Sequence, residues 1–211
     1  MTAISETTMN DVLAPYGIRV DGDLRAKILS YMSLLDKWNR KVSLTTVEDP
    51  ISVLRFHFGE SFFAASELPI LDGRLADVGT GAGFPGIPLK MIRPNLQVTL
   101  IESNLKKCAF LSEVVRNLDL AGIDVLRSRM EDLRHPAGTF DSITARAVGR
   151  AQGLLLFADR FLSSSGRVVL WLGNADASIV ASTSANWAWS PPKRIPFSEK
   201  RVLLVGERLQ L

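Results

Sequence analysis

The chain of 211 residues has a single cysteine, Cys108, and two histidines. One cysteine closes no internal disulfide and supplies no cysteine-based metal site. No run of ~18 uncharged apolar residues occurs, so no membrane-spanning helix is expected. The first ten residues, Met1 to Asn10, are polar and lack an apolar stretch, so a secretory leader is not expected. Internal repeats and low-complexity runs are absent. Charge of one sign is also scarce: 25 Lys and Arg face 22 Asp and Glu, for a net +3. That balance permits a nucleic-acid partner without demonstrating one. An apolar share of 46% excludes a mostly disordered chain. The expectation is a cytoplasmic globular protein of one domain, or one domain with an extension.

The first seventy residues read as helical. Leu24, Ile28, Met32, Leu35 and Trp38 recur at three- and four-residue steps, one face of an amphipathic helix. Asp49-Pro50 reads as an N-cap followed by proline at the first helical position. Leu54, Phe58, Phe62 and Ala65 then form a second stripe. After Leu71-Asp72-Gly73 the pattern changes. Strands are expected at 74–78, 97–101, 123–126, 140–145 and 167–172, with helices at 86–92, 104–119 and 154–161 between them. Residues 193–197 and 201–206 read as a terminal hairpin. Strands alternating with helices imply a mostly parallel, doubly wound sheet. The expected architecture is α/β, with a helical extension over 1–70 and the sheet core over 71–211.

The most informative segment is Asp77-Val78-Gly79-Thr80-Gly81-Ala82-Gly83-Phe84-Pro85-Gly86, placed where a strand passes into a helix. Glycines there let the backbone turn tightly and approach a ligand with no Cβ in the way. Glu102 ends the next strand, where a carboxylate accepts both ribose hydroxyls of an adenosine. The spacing differs from the nicotinamide fingerprint G-x-G-x-x-G, and no triphosphate-binding G-x-x-x-x-G-K-[ST] is present. S-adenosylmethionine fits the pattern better, its amino-acid part over the glycines.

The segment 77–89, DVGTGAGFPGIPL, resembles the signature of the GidB/RsmG family, bacterial methyltransferases acting on guanine N7 in 16S ribosomal RNA. Trp38-Asn39 with Leu44-Thr45 resembles the family's WN…NLT segment. His57 to Ser61 resembles H-x-x-[DE]-S, Ser128 to Glu131 resembles SR-x-E, and Ala145-Arg146-Ala147 resembles [SA]RA. The likeness runs in order from about residue 31 to 149. It implies a Rossmann-like class I methyltransferase with a mostly parallel seven-stranded sheet and an antiparallel terminal hairpin. It also implies cofactor-binding roles for Asp77, Gly79, Thr80, Gly81, Gly83, Phe84, Glu102, Met130, Glu131 and Arg146. The partner implied is 16S rRNA in the small ribosomal subunit, with no metal and no membrane, and the expected state is a monomer. Two places depart from the family. Phe56 stands before the histidine where the family tends to have arginine, and Trp171-Leu172-Gly173 lacks the lysine of its L-K-G.

The implied chemistry asks little of the side chains. Guanine N7 is a lone-pair acceptor with no proton to lose, so methyl transfer to it needs no general base. Alignment carries the rate. No Asp- or Asn-Pro-Pro-aromatic motif follows the fourth strand, as amino-methylating enzymes require. A second cysteine for thiolate attack on a pyrimidine is also missing. Arg129 and Arg146 are the expected catalytic, substrate-facing residues. Alternatives at this stage are a methyltransferase for another acceptor and a non-catalytic rRNA-binding assembly factor. His57, Glu60 and Ser61 read as packing against the cofactor loop, Cys108 as a buried thiol, and Trp187 and Trp189 as an apolar staple. Arg25, Lys27, Lys37, Arg40, Lys41 and Arg55 are either a solvated helix face or a phosphate-contacting surface.

Overall fold

The computed structural model describes residues 4–68, 73–146, 151–184 and 186–209. The presumed boundary at 70/71 and Ala147 lie outside them. The amino-terminal part comprises α1 (Glu6–Leu13), α2 (Gly22–Asn39), α3 (Pro50–Val53) and α4 (Glu60–Glu67), with a π-helical stretch, Leu54–Gly59, joining α3 to α4. Asp21 starts α2 by accepting a hydrogen bond from the Leu24 N–H at 2.8 Å. Asp49 does the same for α3, from Ser52 at 2.7 Å, with Pro50 at the first helical position. The expected stripe Leu24, Ile28, Met32 and Leu35 is buried, while Trp38 is half-buried and donates to Glu113 at 2.9 Å.

The remainder alternates strand and helix: β1 (Arg74–Val78), α5 (Gly86–Ile92), β2 (Gln97–Glu102), α6 (Leu105–Asn117), β3 (Ile123–Arg127), β4 (Phe140–Arg146), α7 (Ala151–Phe161) and β5 (Leu162–Gly173). Then follow α8 (Asn174–Thr183), β6 (Trp187–Trp189), β7 (Lys193–Arg194) and β8 (Arg201–Arg208). Seven strands run in the order β3-β2-β1-β4-β5-β8-β6, and an eighth, the two-residue β7, pairs with β8 off this path. Strands β1 to β5 are mutually parallel, whereas β8 is antiparallel to β5, β6 and β7. The expected terminal hairpin is β7 with β8.

Both faces of the sheet are covered. In β1, Leu75 joins the cluster beneath α2 and α4 to α6, and Ala76 joins the one beneath α7 and α8. In β5, Val169 and Trp171 face the first cluster and Val168, Leu170 and Leu172 the second. This two-residue alternation on a doubly covered sheet explains the nearly continuous apolar run of β5. The first cluster also holds Ile28, Tyr31, Phe58 and Phe62, so the helical extension and the sheet share one core.

Helix α1 falls within the stretch read as helical but is not delimited there, and two further elements, α8 and β6, escape the sequence pattern. Helix α1 buries only Met9, Val12 and Leu13. Helix α8 buries only Ala177 and Val180 in a Ser/Ala-rich segment to which the sequence assigns no element. Strand β6 is three residues long, set by pairing with β8. Strand β5 also begins at Leu162 rather than Arg167, because Leu162 pairs with Phe140 before a register shift.

Candidate functional site

The strand order reverses at β1, which lies between β2 and β4. In open α/β sheets this switch point, at the carboxyl ends of the strands, is where ligands bind. Three expected residues converge there. Gly79 follows β1, Glu102 ends β2 and Arg146 ends β4.

The glycine turn is held from inside by Asp77, which is wholly buried. Its Oδ2 accepts from Thr80 Oγ1 at 2.5 Å and from the Gly86 N–H at 2.9 Å, and its Oδ1 accepts from Thr144 Oγ1 at 2.9 Å. Burial pushes its pKa up, and these donors oppose the shift. Asp77 and Thr80 thus spend their polar atoms on the turn. From beneath, the Tyr31 hydroxyl of α2 donates to the Ala82 carbonyl at 2.5 Å. Its ring stacks on Phe84 at 5.2 Å, and Phe84 stacks on His57 at 4.8 Å. At Gly83, with φ +88°, a Cβ would stand 2.3 Å from the Tyr31 hydroxyl. Gly81, with φ +60°, faces open space, its nearest neighbour being the Gly79 carbonyl at 3.9 Å. The turn therefore pairs a packed side with a side left free for a ligand.

Glu102 is 8% exposed. Its Oε2 accepts from the Gly81 N–H at 3.1 Å and its Oε1 from the Asn104 N–H at 2.8 Å. A carboxylate offers about four acceptor positions, so others remain for hydroxyl donors. A cavity of about 350 Å³ opens beside it, lined by Gly79, Glu102, Ser128, Arg129, Met130 and Arg146, with Glu131 also at its wall. Arg129 and Glu131 are exposed and Met130 is half-buried. A second cavity of about 770 Å³ shares Gly79 and Arg146 with the first and adds Thr80, Phe84, Thr45, His57, Glu60 and Arg201. Two chambers meeting at one glycine and one arginine match a two-part ligand and an acceptor. The first, with its glycine approach and carboxylate, fits a nucleoside cofactor.

Arg146 does not project freely. Its Nη2 lies 2.5 Å from Glu60 Oε2 and donates to the Phe56 carbonyl at 2.6 Å. Its Nη1 reaches the His57 carbonyl and Ser61 Oγ, each at 3.5 Å. Those carbonyls belong to the π-helical stretch; such stretches recur at functional sites. Glu60 is wholly buried and also faces Arg201 Nη2 at 2.7 Å, an ion pair without an aligned hydrogen bond. Its backbone carbonyl accepts from the Trp171 indole at 2.8 Å. Burial raises the Glu60 pKa, and the two guanidinium groups pull it back. Burial likewise lowers that of Arg146. An arginine nevertheless keeps its charge.

The sequence reading leaves Glu60 as packing and says nothing of Arg201. A carboxylate inside a Phe-rich helical stripe is the available signal for the first. Arg201 reaches the site only through β8, which pairs with β5 across the sheet. Its guanidinium also lies 5.2 Å over the ring of Phe56, the residue at the family's arginine position. His57 is held by Thr45 Oγ1 at 2.7 Å. Burial, then the charges of Arg146 and Arg201, lower its pKa to about 4, so the ring is neutral at pH 7. Asn39 explains the WN…NLT spacing. Its Oδ1 accepts from Leu44 and Thr45 N–H at 2.9 and 3.0 Å, and its Nδ2 donates to the Thr45 carbonyl at 2.9 Å, fixing Thr45 at the cavity wall.

The other candidates take structural places. Cys108 is buried on the α6 stripe. Trp187 and Trp189 stack at 5.9 Å in β6 against β8. Lys27 pairs with Asp23, Lys37 with Glu113 and Arg40 with Asp36, and Arg25 donates to the Ile4 carbonyl. Lys37 and Arg40 lie on a solvated face, whereas Arg25 and Lys27 are half-buried.

The fold and this site define an S-adenosylmethionine-dependent methyltransferase of the Rossmann-like type. The same fold occurs in a SAM-dependent methyltransferase from Aquifex aeolicus, at TM-score 0.63 and 17% identity, covering 85% of this chain and 98% of that one. It occurs again in geranyl diphosphate C-methyltransferase from Streptomyces coelicolor, at TM-score 0.61 and 13% identity, covering 85% and 98%. Sequence is more specific. Residues 24–202 match the model of the GidB family, rRNA small subunit methyltransferase G, and the chain belongs to that family. Ribosomal RNA small subunit methyltransferase G of Xanthomonas campestris is 39% identical over 168 residues, 80% of this chain and 78% of the relative. The protein of that name from Stenotrophomonas maltophilia is 38% identical over 180 residues, 85% and 82%.

Proposed function

We propose that the protein transfers the methyl group of S-adenosylmethionine to N7 of one guanine in the 16S RNA of the small ribosomal subunit. The observation that carries this reading is the pair of cavities meeting at Gly79 and Arg146. Family membership supports the substrate class.

The cofactor, when bound, supplies an electrophilic methyl group on sulfur. The residues present fit it. Glu102 accepts from the ribose hydroxyls, and Gly79 and Gly81 let the backbone approach. Met130 and Glu131 would flank the adenine, and Arg129, exposed at the cavity wall, would meet a phosphate of the RNA. Gly83, Phe84, Asp77 and Thr80 hold the turn in shape. Arg146, anchored by Glu60 and two carbonyls, marks the junction where the guanine would enter, with one N–H, on Nε, not engaged by these partners. Of the three carboxylate and imidazole side chains lining the larger cavity, His57 and Glu60 are engaged, and the third, Asp176, stands exposed in the first turn of α8. His57 is engaged with Thr45, and Glu60 is held by two arginines. Methyl transfer to N7 needs no proton acceptor, so the site works by alignment. We place the protein in the cytoplasm as a monomer, with the helical extension and the sheet core acting as one unit.

The test is transfer from methyl-labelled S-adenosylmethionine to small subunits lacking the modification, followed by digestion and mass analysis. A single 7-methylguanosine is expected. Label in another nucleoside, or in protein, contradicts the acceptor. Cofactor binding without transfer favours the assembly-factor alternative.

A further inference from the structure

Beyond the two cavities lies a third hollow of about 590 Å³, lined by Arg55, Phe56, Arg194, Phe197, Glu199 and their neighbours. Phe197 is 61% exposed. Its φ is +57°, a left-handed conformation that a bulky aromatic residue rarely adopts. Its ring lies tilted against that of Tyr16, at 6.2 Å between centroids. The Arg55 guanidinium sits 5.2 Å over that ring. Among the described residues neither Arg55 nor Arg194 has an ion-pair partner, and Arg55 Nε is shut from solvent without an acceptor. The hollow and the larger cavity are neighbours. Phe56 lines the hollow, and the Arg201 guanidinium lying over its ring lines the cavity.

We propose that Phe197, Arg55 and Arg194 form a docking surface for an unpaired nucleotide of the substrate RNA strand, beside the guanine to be methylated. This rests on the proposed function. Phe197 supplies a face on which a splayed base stacks, which a base held in a duplex cannot reach. Arg55 and Arg194 supply charge for the flanking phosphates, with the lone carboxylate of Glu199 as the opposing charge. The surface accounts for an exposed aromatic ring and two arginines that the cofactor chemistry does not use. It also supplies phosphate contacts that the paired lysines of α2 do not.

Two measurements test it. In the first, methyl-transfer kinetics on small subunits compare wild type, Phe197→Ala and Phe197→Trp, with cofactor affinity and Tm recorded for each. Phe197→Ala is expected to raise KM for the subunit about tenfold, from loss of one stacked base. Its kcat, cofactor Kd and Tm stay near wild type, and Phe197→Trp restores KM. In the second, a labelled single-stranded oligoribonucleotide is titrated against the same proteins and Arg194→Ala. Arg194→Ala should reduce the slope of log affinity against log salt by about one. Unchanged KM and unchanged oligoribonucleotide affinity in Phe197→Ala overturn the proposal. So does a loss that follows a fall in Tm, which would make Phe197 a cover for Tyr16. A wild type that binds the oligoribonucleotide through Phe197 but methylates nothing overturns the functional reading and leaves the surface standing.

Discussion

Replacing Glu60 by alanine should be among the most damaging single changes in this protein. Glu60 is wholly buried and the Arg146 side chain is 16% exposed. Truncation would leave the Arg146 guanidinium with the Phe56 and His57 carbonyls but no carboxylate in direct contact, and with Arg201 beside it. Removing one partner of a buried ion pair costs about 3–5 kcal/mol. In a protein of this size 1 kcal/mol moves Tm by roughly 2–4 °C, so Tm should fall by about 6–20 °C. Glu60→Gln keeps an acceptor for Arg146 and should cost less. Arg146→Ala leaves a buried carboxylate facing Arg201 alone and should also destabilise. The double change Glu60→Ala/Arg146→Ala should cost less than the sum of the singles, by about 1–3 kcal/mol. Urea denaturation followed by circular dichroism, with a thermal melt, measures all four. A loss under about 1 kcal/mol for Glu60→Ala, or strict additivity, would refute the view that this pair organises the site.

Gly81→Asp places a charged side chain in the open space beside the turn at φ +60°, and calorimetry should detect no S-adenosylmethionine binding; unchanged affinity would remove the loop from the cofactor site. Tyr31→Phe strands the buried Ala82 carbonyl and should cost about 1–3 kcal/mol in chemical denaturation, with unaltered stability arguing that the hydroxyl contact is idle. The folded His57 pKa of about 4 lies below its unfolded value near 6.5, so the unfolded chain takes the proton first. Stability from this group is complete above pH 6.5 and is lost as pH falls toward 4, by about 3 kcal/mol at most. The raised pKa values of Glu60 and Asp77 act in the opposite sense, favouring the fold as pH falls. The His57 contribution is therefore read as the difference between wild type and His57→Gln, which should flatten between pH 6.5 and 4; parallel pH curves would contradict it.

What the sequence showed and what it hid divide along physical lines. Helix α2, the turn between β1 and α5, and strands β2 to β4 carry strong local patterns, so each was legible within a few residues. Glu102 and the glycines were legible because a ligand-approach turn needs those residue types at that spacing. Helix α8 was not, since its buried side is only Ala177 and Val180. The Glu60–Arg146–Arg201 cluster was hidden for a different reason. Its members come from α4, β4 and β8 and meet only when the sheet closes over the helical extension. The role of Asp77 was hidden too. A carboxylate before a glycine turn reads as ligand-facing, yet two donors of the turn itself and a third from Thr144 of β4 surround it.

The most direct test of the site is the equilibrium binding of S-adenosylmethionine to wild type and to Glu102→Ala. Glu102 should carry the ribose through charge-assisted hydrogen bonds worth about 1.5–3 kcal/mol, so the variant should bind roughly 10- to 150-fold more weakly. Its affinity for a 2′-deoxyribose analogue should be nearly the same as for the cofactor itself, whereas the wild type should favour the cofactor. Equal affinity of the two proteins for S-adenosylmethionine would mean that the cavity between Gly79 and Glu102 is not where the cofactor lies.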